Sequence, residues 1–234
     1  DDVPPAPFHA EWSDILLSGD RHFAVEAFRE SAKTQIVIRA NLLHALAYPQ
    51  PHRSYLVVIC STQRAASKKL QECSRELAAS DAIRALVEKV VEDSGLALEV
   101  QYRSGQRVRI EAYGKGAAVR GLSWGSKRPD LIIIDDPQDE EDARSETVTE
   151  TDWDWFLSDV YFLGQSSRIF LIGNNLGERC IIERVLAGAD RLGFQAGRIP
   201  ALDAEGRSAW PEKWSADRIR AEREEFAQLG KLDI

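Results

Sequence analysis

A short apolar run that ends in two adjacent carboxylates constrains this chain more than any other feature. Residues 130–136 read Asp-Leu-Ile-Ile-Ile-Asp-Asp, so Asp135 and Asp136 directly follow four apolar residues. A short β-branched run of this kind predicts a strand that is buried on both faces. In open α/β sheets, ligands bind at the carboxyl ends of the strands. The two aspartates therefore indicate the position of a metal-bound phosphate, and a phosphate-binding loop is expected upstream.

Residues 27–34, Ala-Phe-Arg-Glu-Ser-Ala-Lys-Thr, form a degenerate loop of that kind between a strand-like and a helix-like segment. Lys33 and Thr34 match the end of the usual pattern G-x-x-x-x-G-K-[ST], whereas Ala27 and Ala32 replace its two glycines. Alanine is the least costly replacement if the loop avoids positive φ at those positions. The Lys-Thr pair alone is better explained as a solvated helix start. Together with the aspartate strand, it favours a phosphate loop.

Composition limits the classes of protein to which the chain can belong. With 234 residues, 44% of them apolar, it suits one large α/β domain. A net charge of −8 argues against a domain whose main task is to hold DNA by its phosphates. The sequence contains no apolar run near the roughly 20 residues that span a bilayer, and its acidic, proline-rich start is unlike a signal peptide. Three sparse cysteines fit reduced thiols in a cytosolic protein, and the lack of methionine suggests a piece of a longer chain.

Strand and helix patterns alternate along most of the chain. Besides residues 22–27 and the aspartate strand, the predicted strands are at 55–60, 97–102, 107–113, 168–173 and 194–199. The pair 97–102 and 107–113 surrounds a Ser-Gly-Gln turn and predicts a hairpin. A helix at 63–79 is expected to precede a shorter one at 82–91. Strands separated by helices predict parallel pairing through right-handed crossovers. We therefore expect a P-loop NTPase fold, with the aspartate strand beside the phosphate-loop strand.

Six motifs follow one another in a recognisable order. They are Phe-His-Ala-Glu-Trp at 8–12, Phe-Arg-x-x-Ala-Lys-Thr at 28–34, Val-Arg-Gly-Leu-x-x-Gly-x-x-Arg-Pro-Asp and the aspartate strand at 119–136, Trp-Asp-Trp-Phe at 153–156, Leu-Ile-Gly-Asn at 171–174, and Pro-Ala-Leu-Asp-x-x-Gly-x-x-x-Trp-Pro-Glu at 200–212. Together they resemble the ATPase domain of the large terminase subunit, the DNA-packaging motor of tailed bacteriophages and related viruses. The resemblance covers nearly the whole chain and implies an ASCE-type P-loop fold, with a mostly parallel sheet, flanking helices and a local antiparallel hairpin.

The resemblance implies a role for each residue of the site. Lys33 would bind the β- and γ-phosphates, and Thr34 and Asp135 would hold Mg²⁺. Asp136 stands where the family's catalytic carboxylate orients the attacking water, here as the shorter aspartate. The nucleotide-binding loop would consist of Arg29, Glu30, Ser31, Ala32, Lys33 and Thr34.

Three arginines are candidates for stabilising charge in the transition state. Arg120, in a glycine-flanked loop, resembles an arginine finger supplied to a neighbouring subunit, and Arg128 competes with it. A flexible basic loop that contacts solvent or DNA is an equal alternative for Arg120. Arg29 would contact phosphate or act as a sensor, with a salt bridge to Glu26 or Glu30 as its alternative.

Several further residues have both a functional and a structural interpretation. Asn174 would couple the state of the γ-phosphate to motion, or would form a turn with its neighbour. Phe8, His9 and Trp12 would lie near the adenine, although the buried face of a helix is the more common role of such a set. For the acidic run 139–142, a solvated helix start is favoured over a metal site.

The resemblance also implies partners and a domain organisation. The substrate would be ATP, and the partners would be double-stranded DNA, further copies in a ring on a portal protein and a small terminase subunit, in the host-cell cytoplasm and transiently on the procapsid. No membrane is expected. Residues 1–7 are expected to be a flexible arm, 8–200 the ATPase domain, and 201–234 a linker and helix leading toward a nuclease domain outside this chain. We therefore expect no nuclease activity.

Two alternatives remain open at this point. One is another nucleic-acid-dependent P-loop motor, such as part of a helicase. The other is an assembly module that binds nucleotide without hydrolysing it. The two missing glycines support the second alternative, and the intact Lys33, Thr34, Asp135 and Asp136 count against it.

Overall fold

A single eight-stranded sheet organises the computed structural model, which describes residues 3–18, 21–163 and 167–228. The strands are β1 His22–Ala27, β2 Tyr55–Cys60, β3 Val87–Asp93, β4 Ala97–Tyr102, β5 Arg107–Gly114, β6 Leu131–Asp135, β7 Arg168–Gly173 and β8 Phe194–Ile199. Their order across the sheet is β3-β4-β5-β2-β6-β7-β1-β8. Strands β5, β2, β6, β7, β1 and β8 pair in parallel, and β3, β4 and β5 pair antiparallel. The predicted fold class is confirmed.

Helices cover both faces of this sheet. They are α1 Pro7–Ser18, α2 Asn41–Ala47, α3 Gln63–Ala79, α4 Asp81–Leu86, α5 Glu140–Arg144, α6 Glu146–Trp155, α7 Ile181–Ala187, α8 Ala189–Leu192 and α9 Ala216–Gln228, with π-helical segments at Thr34–Ala40 and Phe156–Tyr161. One face packs against α1, α2 and α3, and the other packs against α6, the second π-helical segment and α7. Because β2 and β6 lie in the middle, every residue of both strands is buried, which explains their unbroken apolar runs. Among the described residues, no helix combines the length and apolar character needed to cross a bilayer.

The predicted contact between the aspartate strand and the phosphate-loop strand is wrong. Strand β7 lies between β6 and β1 and pairs in parallel with both. Neighbouring strands are about 4.8 Å apart, so the carboxyl ends of β6 and β1 are separated by about 10 Å. This separation leaves room between the aspartates and the loop, and it places the end of β7 in the middle of the site.

The helix predicted at 82–91 is also wrong in its second half. Helix α4 ends at Leu86, and residues Val87–Asp93 form β3, which pairs antiparallel with β4. The β-branched Val87, Val90 and Val91 favour a strand. As an edge strand exposed over most of its length, β3 shows no alternation of apolar and polar residues from which a strand could be predicted.

Packing continues beyond residue 200 and into the predicted arm. Trp210 is buried in the core beside α1, and its indole Nε1 donates a hydrogen bond to the Pro4 carbonyl at 2.8 Å. Ala6 is buried as well. Residues 1 and 2 of the arm and residues 229–234 of the C-terminal segment lie outside the described part of the chain.

Candidate functional site

The loop between β1 and the first π-helical segment contains two residues in the left-handed region. Glu30 has φ 61° and Ala32 has φ 64°. The condition that the loop avoids positive φ therefore fails at Ala32, the position of the second glycine of the motif. A left-handed conformation costs a non-glycine residue about 1–2 kcal/mol. The loop keeps the expected course at the expense of local backbone strain.

Ala32→Gly is expected to raise the free energy of unfolding by about 0.5–1 kcal/mol. The strain at Ala32 is relieved, and the larger conformational entropy of unfolded glycine offsets part of the gain. Chemical denaturation of both proteins measures the difference. Ala27→Gly is the matched control, since Ala27 is buried in β1 at a residue without positive φ, and it is expected to destabilise the protein. Equal destabilisation by both changes would show that Ala32 is not strained.

Lys33 lies at the centre of the site and is held by two oxygen atoms. Its ammonium Nζ donates hydrogen bonds to the Ala27 carbonyl at 3.2 Å and to Asn174 Oδ1 at 2.6 Å. Burial lowers the pKa of Lys33, while Asp136 and Asp135 act in the opposite direction. The ammonium is thus held between the end of β1 and the segment that follows β7.

Asp135 faces the start of the π-helical segment Thr34–Ala40. Thr34 Oγ1 donates a hydrogen bond to Asp135 Oδ1 at 3.1 Å. Lys69 Nζ, from α3, lies 3.5 Å from Asp135 Oδ2. The sequence analysis missed Lys69, although a signal exists. It follows Ala66 by three residues and precedes Cys73 by four, so it borders the buried stripe of α3.

Thr34 and Asp135 provide a donor set that suits Mg²⁺. A hydroxyl and a carboxylate oxygen are hard ligands, and protein sites for Mg²⁺ often use one or two carboxylates together with substrate phosphates and water. In the parts of the chain that the structure describes, no group of three or more His, Cys, Asp or Glu side chains forms a metal site of its own. The fit is therefore to a shared site completed by a nucleotide.

Asp135 is expected to make stability depend on pH. Burial and the neighbouring Asp136 raise the pKa of Asp135 from 3.8 to about 6. Between these pH values the folded chain binds more protons than the unfolded chain, so the free energy of unfolding falls as pH rises. Asp135→Asn should therefore stabilise the metal-free protein by about 1–3 kcal/mol at pH 7 and by little at pH 4. Denaturation curves at both pH values test this. An equal effect at both would mean that the carboxyl is not responsible.

Asn174 connects the other aspartate to Lys33. Asp136 Oδ1 accepts hydrogen bonds from the Asn174 backbone N–H at 3.0 Å and from its Nδ2 at 3.1 Å. The carbonyl end of the same amide accepts from Lys33. Burial raises the pKa of Asp136, and Lys33 and the Asn174 N–H oppose that shift. The Asn174 amide therefore contacts both the Lys33 ammonium and the Asp136 carboxylate.

Solved structures share this architecture, although no family model and no curated protein matches the chain. The Thermus phage P74-26 large terminase ATPase domain aligns with a TM-score of 0.58 and 14% identity, over 95% of this chain and 93% of that one. The HK97 bacteriophage large terminase aligns with a TM-score of 0.59 and 12% identity, over 96% of this chain and 49% of that one. The chain has the fold of a large-terminase ATPase domain.

Some of the aligned large terminases are longer than this chain. The large terminase of a thermophilic bacteriophage, in complex with ADP, aligns with a TM-score of 0.59 and 10% identity over 94% of this chain and 50% of its own. The chain thus spans about half the length of these large terminases. The same thermophilic phage protein is also found in complex with ATP-γ-S, so this terminase fold binds adenine nucleotides in that relative.

All three predicted arginines lie outside the cluster of Lys33, Asp135, Asp136 and Asn174. Arg29 forms an ion pair with Glu140 at 2.9 Å, and both side chains are more than 60% exposed. This pair replaces the predicted alternatives, Glu26 and Glu30. Arg120 is exposed in the loop after β5, and it makes no hydrogen bond or ion pair among the described residues. Arg128 Nη1 donates to the Leu122 carbonyl at 3.0 Å and braces that loop.

Helix α1 supports the phosphate loop through buried side chains. His9 Nε2 lies 2.7 Å from the Ser31 carbonyl oxygen, and Phe8 packs edge-on against Phe28. Phe8, His9 and Trp12 are all buried, as a helix face facing the core would be. A contact of this set with adenine stays a prediction.

A lysine from the C-terminal part of the chain contacts the phosphate loop. Lys213, which the sequence analysis missed, donates from Nζ to the Glu30 carbonyl at 2.9 Å.

In the acidic run 139–142, Asp139 accepts from the N–H groups of Glu141 and Asp142 and forms a capping box at the start of α5. The run therefore begins a helix, as the favoured interpretation holds.

Proposed function

We propose that this chain is the ATPase motor domain of a viral DNA-packaging machine, which hydrolyses ATP with Mg²⁺ to move double-stranded DNA into a procapsid. One observation carries the proposal most strongly. Lys33, Asn174 and Asp136 form a continuous hydrogen-bonded chain beside the Thr34–Asp135 pair, within the fold of a large-terminase ATPase domain. A phosphate-binding lysine, a magnesium pair and a second carboxylate are the parts that phosphoryl transfer to water needs.

Each residue of the cluster has a distinct task in this proposal. Lys33 binds the β- and γ-phosphates and neutralises the charge that develops between them. Thr34 and Asp135 would hold Mg²⁺, which would supply further charge stabilisation when bound. Asp136 accepts a hydrogen bond from the attacking water and orients it in line with the γ-phosphorus. Asn174 contacts both Lys33 and Asp136, so its hydrogen bonds would change when the γ-phosphate lies between them.

Assembly would complete the site. Arg120 is exposed and has no partner among the described residues, which suits a group that acts on a neighbouring copy. The proposed machine is a ring of copies on a portal protein, with a small terminase subunit and DNA, in the cytoplasm of the host cell. The solved terminases support this assignment at the level of the fold.

Steady-state ATP hydrolysis against protein concentration, with and without double-stranded DNA, tests the proposal. Turnover is expected to rise faster than linearly with concentration, because an arginine from a second copy completes each site. Arg120→Ala should remove that rise, with Arg128→Ala as the competing variant. A flat rate that is the same without Mg²⁺ would contradict the proposal.

A non-hydrolysing assembly module is the second candidate, and the strained Ala32 in place of glycine favours it. In that case the protein would bind Mg-ATP and release no phosphate at any concentration, with or without DNA. Equilibrium binding of a fluorescent ATP analogue, measured beside phosphate release, separates the two candidates.

A further inference from the structure

A buried polar network lies behind the nucleotide site and takes no part in the roles described above. Lys115 Nζ donates to Asp142 Oδ2 at 2.6 Å and to Asp152 Oδ2 at 2.8 Å. Gln138 Nε2 donates to the same oxygen of Asp152 at 2.8 Å, and Gln138 Oε1 accepts from the Ile181 N–H at 2.7 Å. The side chains of Lys115 and Asp152 are only 14% and 10% exposed.

The network joins the three segments that leave the carboxyl ends of β5, β6 and β7. Lys115 begins the loop that carries Arg120. Gln138 follows Asp136 by two residues in the chain. Ile181 begins α7, the helix reached from β7 through Asn174. The proposed functional residues outside the phosphate loop are therefore close in sequence to this network. Asp136, Arg120 and Asn174 lie two, five and seven positions from Gln138, Lys115 and Ile181.

The first part of the Arg120 loop is held by this network and by further contacts. The Lys115 N–H donates to the Cys60 carbonyl at 2.8 Å, and Val119 is buried in the core. Trp155 Nε1 donates to the Ala117 carbonyl at 3.0 Å, from the end of the helix that contains Asp152. Burial lowers the pKa of Lys115, but the hydrogen bonds to Asp142 and Asp152 outweigh that effect and raise it. The ammonium therefore stays charged. A buried charge held by two carboxylates accepts few other arrangements, which fixes the relative positions of the groups it joins.

We propose that Lys115 is a positioning residue, which holds the Arg120 loop in register with the segments that carry Asp136 and Asn174. The inference rests on the proposed function, since it assigns Lys115 an effect on hydrolysis through Arg120. When the contacts of Asp136 change with the nucleotide, Gln138 transmits the displacement through Asp152 to Lys115. The arginine loop then moves with the nucleotide state of its own subunit.

A double-mutant cycle between Lys115 and Arg120 tests this. Lys115→Met is expected to lower kcat by about 10- to 100-fold, as a misplacement of about 1 Å does for other catalytic groups. The Kd of a fluorescent ATP analogue should stay unchanged. In Arg120→Ala protein, adding Lys115→Met should lower kcat little further, because the group that it positions is already absent. If the double variant loses kcat by the product of the two single fold-losses, the proposal is overturned.

Three further proteins control for folding. Lys115→Arg keeps the charge and should restore most of the activity. Lys115→Met with Asp152→Asn removes the ammonium together with one of its two carboxylate partners, and it replaces Lys115→Met in the cycle if that protein is unfolded. Lys68→Met is the matched surface change, since Lys68 is 76% exposed and pairs only at 4.0 Å with Glu72. It should leave kcat and Kd unaltered.

Amide hydrogen exchange gives a readout that needs no turnover. Exchange of residues 115–122 should become faster in the Lys115→Met protein, while β6 and β7 remain protected. Unchanged exchange in the loop, or faster exchange throughout the domain together with weaker nucleotide binding, would overturn the positioning role. If the wild-type protein hydrolyses no ATP, the proposed function fails, and the exchange data still decide whether Lys115 holds the loop.

Discussion

Lys33→Ala is expected to lower ATP turnover by at least about 100-fold, the usual loss when one preorganised donor to a developing negative charge is removed. The ammonium lies within 3.2 Å of the Ala27 carbonyl and 2.6 Å of Asn174 Oδ1, so its position is set before nucleotide binds. Two other described lysines lie near the loop, but Lys69 is directed at Asp135 and Lys213 at Glu30. Nucleotide affinity should fall as well, since Lys33 contacts the phosphates in the ground state.

Phosphate release and equilibrium nucleotide binding measure the two effects of Lys33→Ala. Lys68→Ala, at an exposed position of α3, provides a control for the loss of one positive charge. Turnover within about threefold of the wild-type value would show that phosphate binds elsewhere in this chain.

Asp136→Asn is expected to lower kcat by about 100- to 1,000-fold while ATP binding stays close to normal. The amide has the size of the carboxylate, and its Oδ1 can still accept the two hydrogen bonds from Asn174. Asp136 has φ 42°, a backbone conformation that asparagine tolerates better than most residues do. The Asp136→Asn protein should therefore still fold. The substitution removes only the negative charge that orients the attacking water.

Single-turnover hydrolysis of prebound ATP isolates the chemical step in the Asp136→Asn protein. Asp136→Glu extends the carboxylate by one methylene group and is expected to retain measurable activity, because the charge remains. Full activity of Asp136→Asn would exclude this residue as the water-orienting group. Loss of ATP binding in the same protein would mean that Asp136 shapes the pocket and leaves catalysis to another residue.

Periodicity and local turn chemistry were enough to predict most of the elements. The run at Leu131–Asp135 and the hairpin of β4 and β5 follow from residue patterns that extend over only a few positions. The order of strands across the sheet depends on long-range packing, so the position of β7 between β6 and β1 was not predicted. The strand β3 was missed because its edge position removes the pattern on which strand prediction depends.

The residues of the candidate site likewise divide into those that local sequence patterns predict and those that only the fold reveals. Lys33, Thr34, Asp135 and Asp136 were predicted from strand ends and motif spacing, and Asn174 from the family resemblance. The structure brings all five together. Lys69 and Lys213 reach the site from α3 and from the segment after β8. Only Lys69 has a local signal, its place beside the buried stripe of α3, and no local pattern distinguishes Lys213 from a surface lysine. Arg29 contacts Glu140, a partner 111 positions away that only the fold could reveal.

The exposed edge strand β3 has a consequence for how copies of this chain meet. Val90 and Val91 are 46% and 44% exposed, and the outer edge of a sheet can pair with another chain. Register shifts against β4 distort this strand, and Glu88, Glu92 and Asp93 add negative charge along it. Such bulges and like charges disfavour the joining of two sheets. The distorted and acidic edge of β3 therefore disfavours extension of the sheet by a strand of another chain.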